Sequence, residues 1–243
     1  MIIKTFGSNS HGNFYTIEDK GQVLLLEAGI HIKEIKKALN FDFSKIVGCI
    51  VSHEHSDHAK SISELLNIGV AVGSNEKTMS YVNHHRKFVI QPKKAVKIGG
   101  FHVKAFKLVH DVDNFGYLIQ SPSGKRILFA TDTQYVMNQF NDIDVYMVEC
   151  NFDLDSMRKA VHCGKLDNSV LIRVSQTHMS LETVSAYLEA ADLSKTKQIM
   201  LIHLSDTNSN ETKYVDYIQG LTGIKTIAAN VGDVIEIGNG PGF

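Results

Sequence analysis

No apolar run in this chain is long enough to cross a membrane. Runs such as Val23-Leu24-Leu25-Leu26 and Ile199-Met200-Leu201-Ile202 are strand-length, whereas a spanning helix needs about 20 apolar residues. The first residues also lack the basic-then-apolar pattern of a secretory leader, so the cytoplasm is the expected compartment. Cysteine is scarce. Cys49, Cys150 and Cys163 are odd in number and not spaced as a zinc or redox pair, which suits a reduced compartment and excludes a disulfide framework. No charge sign dominates: 25 Lys and Arg stand against 26 Asp and Glu, for a net charge of −1. That excludes a general nucleic-acid coat protein, though not a nuclease with local basic residues. Three prolines and no low-complexity segment leave no linker at which to divide the 243 residues. Apolar residues make up 43 %, enough for a sizeable core, and a single domain over 1–243 is expected.

What the chain does have is histidine, twelve in all, several directly after apolar runs. The local pattern explains where these runs lie. Residues 2–6, 13–18 and 22–27 read as strands separated by glycine turns, and Ile32 to Leu39 reads as a helix that Asn40 can close. A buried strand is expected over Ile46 to Val51, then a helix with Ala59, Ile62, Leu65 and Leu66 on one face. Val70 to Val72 reads as a strand, and Asn75 as the N-cap of a helix through Val82. Residues 87–130 suggest four or five antiparallel strands. The last third alternates: strand 144–149, helical stretch 154–173, helix 180–190, strand 198–202, helix 209–220 and two final strands. Two blocks of strands followed by helices suggest two sheets with helices outside, a four-layer αββα sandwich of the α/β class.

The chemistry concentrates in His53-Glu54-His55-Ser56-Asp57-His58. His53 lies where the chain leaves a buried strand, and two residues of extended backbone put the His53 and His55 imidazoles on one side. Asp57 and His58 fall near the start of the next helix. A strand-to-helix corner therefore delivers four nitrogen and oxygen donors, a set suited to zinc, manganese or iron rather than calcium or magnesium. The zincin pattern H-E-x-x-H is excluded because Asp57 occupies its last position, so Glu54 is no metalloprotease base. It is expected to face solvent or anchor the loop. His84-His85-Arg86-Lys87 reads as a basic surface turn at a helix end, and His11, His31, His102 and His162 have no partner at metal spacing.

The run Val51 to His58 resembles the H-x-H-x-D-H signature of the metallo-β-lactamase superfamily. Leu25-Leu26-Glu27-Ala28-Gly29 resembles that family's first landmark, with Glu27 in place of the usual Asp. Val109-His110-Asp111, Ala130-Thr131-Asp132-Thr133 and Leu201-Ile202-His203-Leu204-Ser205 resemble the later ones, in order. The resemblance implies that His53, His55 and His110 hold one divalent ion and Asp57, His58 and His203 a second. Asp132 would bridge them, and Glu27 would support the loop without binding metal. Gly7-Ser8, Ser74-Asn75-Glu76, Val148-Glu149-Cys150-Asn151, Thr177-His178-Met179-Ser180 and His203-Leu204-Ser205-Asp206 narrow the likeness to the YycJ/WalJ-like branch. That branch is regarded as metal-dependent DNA exonucleases related to ribonucleases Z and J. Cys150, Phe152 and Gln176-Thr177 depart from its usual residues.

The resemblance thus implies a dinuclear hydrolase of phosphodiester bonds, most closely a DNA exonuclease, with hydroxide activated by two zinc or manganese ions (iron also fits) as nucleophile. Asp57 and Asp132 belong to its catalytic set. His178, directly before a helix capped by Ser180, is the candidate general acid and phosphate contact. Ser180 and Asn151 are further phosphate candidates, and Ser10 to Asn13 a weaker rim. Other readings stay open: a phosphodiesterase of small or cyclic nucleotides, which the near-neutral charge favours; a thioester or lactam hydrolase; and a non-catalytic member that binds nucleic acid or a partner. No membrane is expected, and a homodimer is compatible with the sequence.

Overall fold

The computed structural model describes residues 1–205 and 209–238; Asp206 lies outside them. The elements run β1 (Ile2–Asn9), β2 (Gly12–Asp19), β3 (Gln22–Leu26), α1 (Ile32–Ala38), β4 (Ile46–Ile50), α2 (Ser56–Ala59), α3 (Ile62–Asn67), β5 (Val72–Ser74), α4 (Glu76–Ser80), β6 (Lys87–Val89) and β7 (Ala95–Ile98). They continue with β8 (Phe101–Lys107), β9 (Phe115–Gln120), β10 (Arg126–Ala130), β11 (Val145–Glu149), α5 (Leu154–His162), α6 (Asn168–Thr177) and α7 (Leu181–Glu189). Last come β12 (Gln198–Ile202), α8 (Glu211–Thr222), β13 (Thr226–Ala228) and β14 (Val234–Glu236). One seven-stranded sheet has the order β14-β1-β2-β3-β4-β5-β6, the other β13-β12-β11-β10-β9-β8-β7. Both are mixed. The first is antiparallel from β14 to β3 and parallel from there to β6.

The chain forms two compact units, 1–104 with 119–125 and the segment from Asn230, and 105–118 with 126–229. In the first, Val23, Leu25, Cys49, Val51 and Val72 pack against Ile35 of α1, Ile62, Leu65 and Leu66 of α3, and Met79 of α4. Leu24, Leu26 and Ile50, which point the other way, are equally buried. Burial on both faces is why β3 reads as an unbroken apolar run. In the second unit, Leu128, Tyr146, Val148, Ile199 and Leu201 pack against Val184 and Leu188 of α7 and Tyr214 and Ile218 of α8. A small separate cluster of Phe152, Met157 and Val174 ties α5 to α6.

Several elements differ from the sequence expectation. The helical stretch 154–173 is two helices, because Gly164 turns left-handed at φ 67° and Asp167 starts a new helix by accepting from Ser169 N at 2.7 Å. The helix beginning near Ala59 is likewise the short pair α2 and α3. The strand expected over 70–72 lies at Val72–Ser74. Residues 87–130 do hold five strands, but not one antiparallel run: β6 pairs parallel with β5 in the first sheet, and β10 parallel with β11 in the second.

Candidate metal centre

In the first unit, β4 ends at Ile50 and its buried extension carries Ser52 and His53 into the corner before α2. His53 and His58 are fully buried, and their rings lie 4.3 Å apart. The His53 and His55 rings meet edge-on at 4.6 Å, as the two-residue spacing predicted. Asp57 Oδ2 is 3.2 Å from His58 Nε2 on the same turn of helix.

Glu27, just past β3, braces this corner. Its carboxylate accepts from Ser52 N at 3.2 and 3.3 Å and lies 3.5 Å from His58 Nδ1. It is fully buried and holds a left-handed φ of 63°, a conformation that costs a non-glycine residue about 1–3 kcal/mol. The glycine two residues on is required sterically. A Cβ on Gly29 would fall 1.6 Å from the Asp57 carbonyl oxygen, and that approach lets Ala28 N bond His58 O at 2.8 Å. Asn13 Nδ2 donates to Asp57 O at 3.1 Å, and Asn75 Nδ2 to Ser52 O at 3.1 Å.

In the second unit the donors sit at the carboxyl ends of parallel neighbours β10, β11 and β12, whose register aligns Ala130 with Val148 and Glu149 with Ile202. Asp132, Glu149 and His203 therefore come side by side. Asp132 Oδ1 is 3.5 Å from His203 Nε2, and its Oδ2 is 3.8 Å from His110 Nε2. Both Asp132 and His203 are left-handed, at φ 49° and 53°. A buried asparagine holds each carbonyl: Asn114 Nδ2 donates to Asp132 O at 2.6 Å, and Asn151 Nδ2 to His203 O at 2.9 Å. Asn151 thus spends its amide on His203.

His178, the C-cap of α6, lies with its Nδ1 2.5 Å from Glu149 Oε1 and stacks on His203 at 5.6 Å. Glu149 is fully buried, and its other oxygen accepts from Thr133 N at 2.9 Å and Met179 N at 3.1 Å. Burial would raise the Glu149 carboxyl, but the His178 charge and the hydrogen bonds from His178 and His203 bring it below the usual range. Burial likewise lowers His178, yet the Glu149 charge and hydrogen bond outweigh it and leave the imidazole above its ordinary value. That shift favours the protonated imidazole of His178. His110 goes the other way: burial pushes it down against the pull of Asp132 and Asp111, which favours the neutral ring a metal ligand needs.

The donor chemistry fits divalent transition ions. His53 Nδ1 is held by Ser52 Oγ at 2.8 Å, His58 Nδ1 faces Glu27, His110 Nδ1 donates to Thr177 O at 3.0 Å, and His203 Nδ1 lies 3.4 Å from Glu149. Outer partners of this kind orient ligating histidines through the remaining nitrogen. Asp132, Glu149, His178 and His203 also bring one ligand atom each within 4.8 Å of one another and could hold an ion by themselves.

Ser180 is buried, with its hydroxyl accepting from Thr183 N at 3.2 Å as the cap of α7. The stretch Val148-Glu149-Cys150-Asn151 carries the family likeness without giving Glu149 a role, and sequence reasoning overlooked Asn114. Glu149 had a signal: it ends β11 where the neighbouring strands lead into Asp132 and His203. Glu54, expected in solvent or anchoring the loop, is half-buried. Its Oε2 is buried and has no hydrogen-bond partner among the described residues.

The beta-lactamase superfamily domain matches residues 25–204 of the chain. Exodeoxyribonuclease WalJ of Streptococcus pneumoniae is 26 % identical over 219 residues, covering 83 % of this chain and 81 % of the relative. Exodeoxyribonuclease YycJ of Bacillus anthracis is 25 % identical over 253 residues, covering 98 % and 94 %. Among solved structures, the metallo-β-lactamase fold protein YhfI of Bacillus subtilis superimposes with a TM-score of 0.74 at 16 % identity, over 96 % of this chain and 98 % of that one.

Proposed function

The chain belongs to the metallo-β-lactamase superfamily of metal-dependent hydrolases, and from that premise we propose that it hydrolyses phosphodiester bonds in DNA as an exonuclease. The carrying observation is that His53, His58, His110 and His203 each have Nδ1 tied to an outer partner, an arrangement that serves metal ligation. The names of the two relatives near 25 % identity point the reaction toward DNA. In this reading His53, His55 and His110 would hold one ion and Asp57, His58 and His203 the other, and Asp132 would complete the set. The assignment follows the order of the family's landmarks along the chain, which we read as one domain.

Two divalent ions would supply positive charge to the phosphoryl oxygens and acidify water at neutral pH. The chain's own groups do the rest. Asp132, held by Asn114 and by Thr131 Oγ1 at 2.9 Å, presents its carboxylate at a fixed angle. His178 offers a proton from Nε2 to the leaving oxygen while Glu149 keeps its Nδ1 engaged. Ser180 serves the backbone as a cap. No helix among the described residues is long and apolar enough to cross a membrane.

Metal analysis of the purified protein followed by a substrate panel tests this reading. The panel contains single- and double-stranded DNA, RNA, cyclic nucleotides, a thioester and a β-lactam. About two ions per chain, with DNA cleaved fastest, is the expected result. Cleavage of cyclic nucleotides alone would replace the nuclease reading with a small-molecule phosphodiesterase. Metal bound without any hydrolysis would leave a binding protein.

A further inference from the structure

Within the first unit, an open cleft of about 520 Å³ runs beside His55, lined by Glu54, Ser56, Ile62, Thr78 and Tyr81 among others. Its size falls within the range of about 300–1,000 Å³ typical of small-molecule sites. Two of its lining residues carry an unusual feature. Glu54 Oε2 and Thr78 Oγ1 are buried side-chain oxygens with no hydrogen-bond partner among the described residues, and Thr78 is only 2 % exposed. Native proteins rarely leave such atoms unmade, and a ligand group that reaches them recovers the missing bond. The rest of the lining is mixed: Ala59, Ile62 and Val82 are apolar, and Tyr81 presents its ring at the rim with 66 % exposure. The Lys77 ammonium lies 5.1 Å from the centre of that ring.

We propose that this cleft seats the nucleobase next to the scissile phosphate and favours bases that carry an exocyclic amine, with Glu54 accepting from the amine, Thr78 bonding a ring edge and Tyr81 stacking. The proposal rests on the DNA-hydrolase reading, in which His55 is a metal ligand, so a nucleotide whose phosphate meets that ligand has its base within reach of the cleft. A carboxylate acceptor discriminates the amine of cytosine or adenine from the carbonyl of thymine. Stacking on tyrosine tolerates every base, so specificity falls to Glu54 and Thr78. Lys77 places a cation at the rim, where a nucleotide brings negative charge. Both oxygens are covered by neighbouring atoms, so the base must press past the lining ends to reach them.

The test is calorimetric binding of dAMP, dCMP, dGMP and dTMP to the metal-loaded wild-type protein and to Glu54→Gln, Thr78→Val and Tyr81→Ala, each checked for folding by thermal melting. The three amine-bearing nucleotides should bind wild type several-fold more tightly than dTMP. Glu54→Gln should abolish that preference, Thr78→Val reduce it, and Tyr81→Ala weaken all four alike. Equal affinities in the wild type would overturn the proposal, as would a preference that survives both Glu54→Gln and Thr78→Val. The underlying reading fails separately. Wild-type protein that cleaves DNA without base preference retires the cleft and keeps the nuclease, whereas base-selective binding without phosphodiester cleavage keeps the cleft and retires the nuclease.

Discussion

In the first unit four donors, His53, His55, Asp57 and His58, come from six consecutive residues, while in the second His110, Asp132 and His203 come from the ends of three different strands. The two regions also carry their backbone strain in different places. Among the first unit's site residues the left-handed one is the brace, Glu27; in the second it falls on the ligands themselves, Asp132 and His203. A continuous loop can wind from strand to helix in relaxed backbone once a neighbour supports it. Asp132 and His203 instead turn back abruptly past the strand ends in left-handed backbone, which His110 does not share, and each of those two turns has its own clamp. Asn114 and Asn151 are those clamps, one per strained carbonyl. Such strain, at about 1–3 kcal/mol per residue, persists only where the surroundings over-determine it.

The comparison breaks first if only one region matters. Replacing His55 by Ala in the loop, or Asp132 by Ala at the strand end, should bring hydrolysis of bis-p-nitrophenyl phosphate to background in both proteins. Full activity in either variant would remove that region from the centre and sink the dinuclear assignment.

A smaller effect separates ligands from proton chemistry. His178→Ala should lower kcat about 10²- to 10⁴-fold, the usual contribution of a positioned acid. Its metal content should match the wild type, because in the proposed set His178 binds no ion. Loss of one ion per chain in His178→Ala would favour the alternative in which Asp132, Glu149, His178 and His203 hold a metal by themselves. Rescue of kcat by added small amines or imidazoles, at unchanged metal content and with a rate that follows the pKa of the additive, would sharpen the acid role.

Legibility in the sequence follows the same division. The loop could be read because its donors are adjacent and because alternation places His53 and His55 on one side without knowledge of the sheet. Glu27 was readable through its resemblance to a landmark, and the contact between Gly29 and Asp57 explains why a glycine stands there. The role of Glu149 was not, although its stretch carries the likeness, because an acid closing a buried strand acquires meaning only when the parallel register of β10, β11 and β12 sets it beside Asp132 and His203. Asn114 precedes β9 and looks like a turn residue until its amide is seen on the Asp132 carbonyl. The break between α5 and α6 is not legible when 154–173 is read as one helical stretch, because Gly164 and the capping role of Asp167 show only once the left-handed turn at φ 67° is seen. Glu54 reads equally as solvent-facing or loop-anchoring, because a charged residue between two histidines carries no burial signal of its own.

The smallest expected effects compare two helix caps, one in each unit. Asn75 caps α4 through Oδ1, which accepts from Thr78 N at 2.7 Å, and its Nδ2 also holds the Ser52 carbonyl at 3.1 Å. Ser180 caps α7 alone, through the bond from Thr183 N. Asn75→Asp therefore keeps the cap but loses the amide donor to the histidine loop, and the new carboxylate faces a carbonyl oxygen. Metal affinity should fall about 10- to 100-fold, as when an outer partner of a ligand is lost, with a smaller change in melting temperature. Ser180→Ala should cost about 1 kcal/mol of stability, the ordinary value of an N-cap, and leave KM for DNA unchanged. The pair asks whether a cap is also part of the site. A raised KM in Ser180→Ala, at unchanged stability, would transfer Ser180 from the backbone to the phosphate, and the second unit would then bind substrate through a residue that the structure shows as a cap.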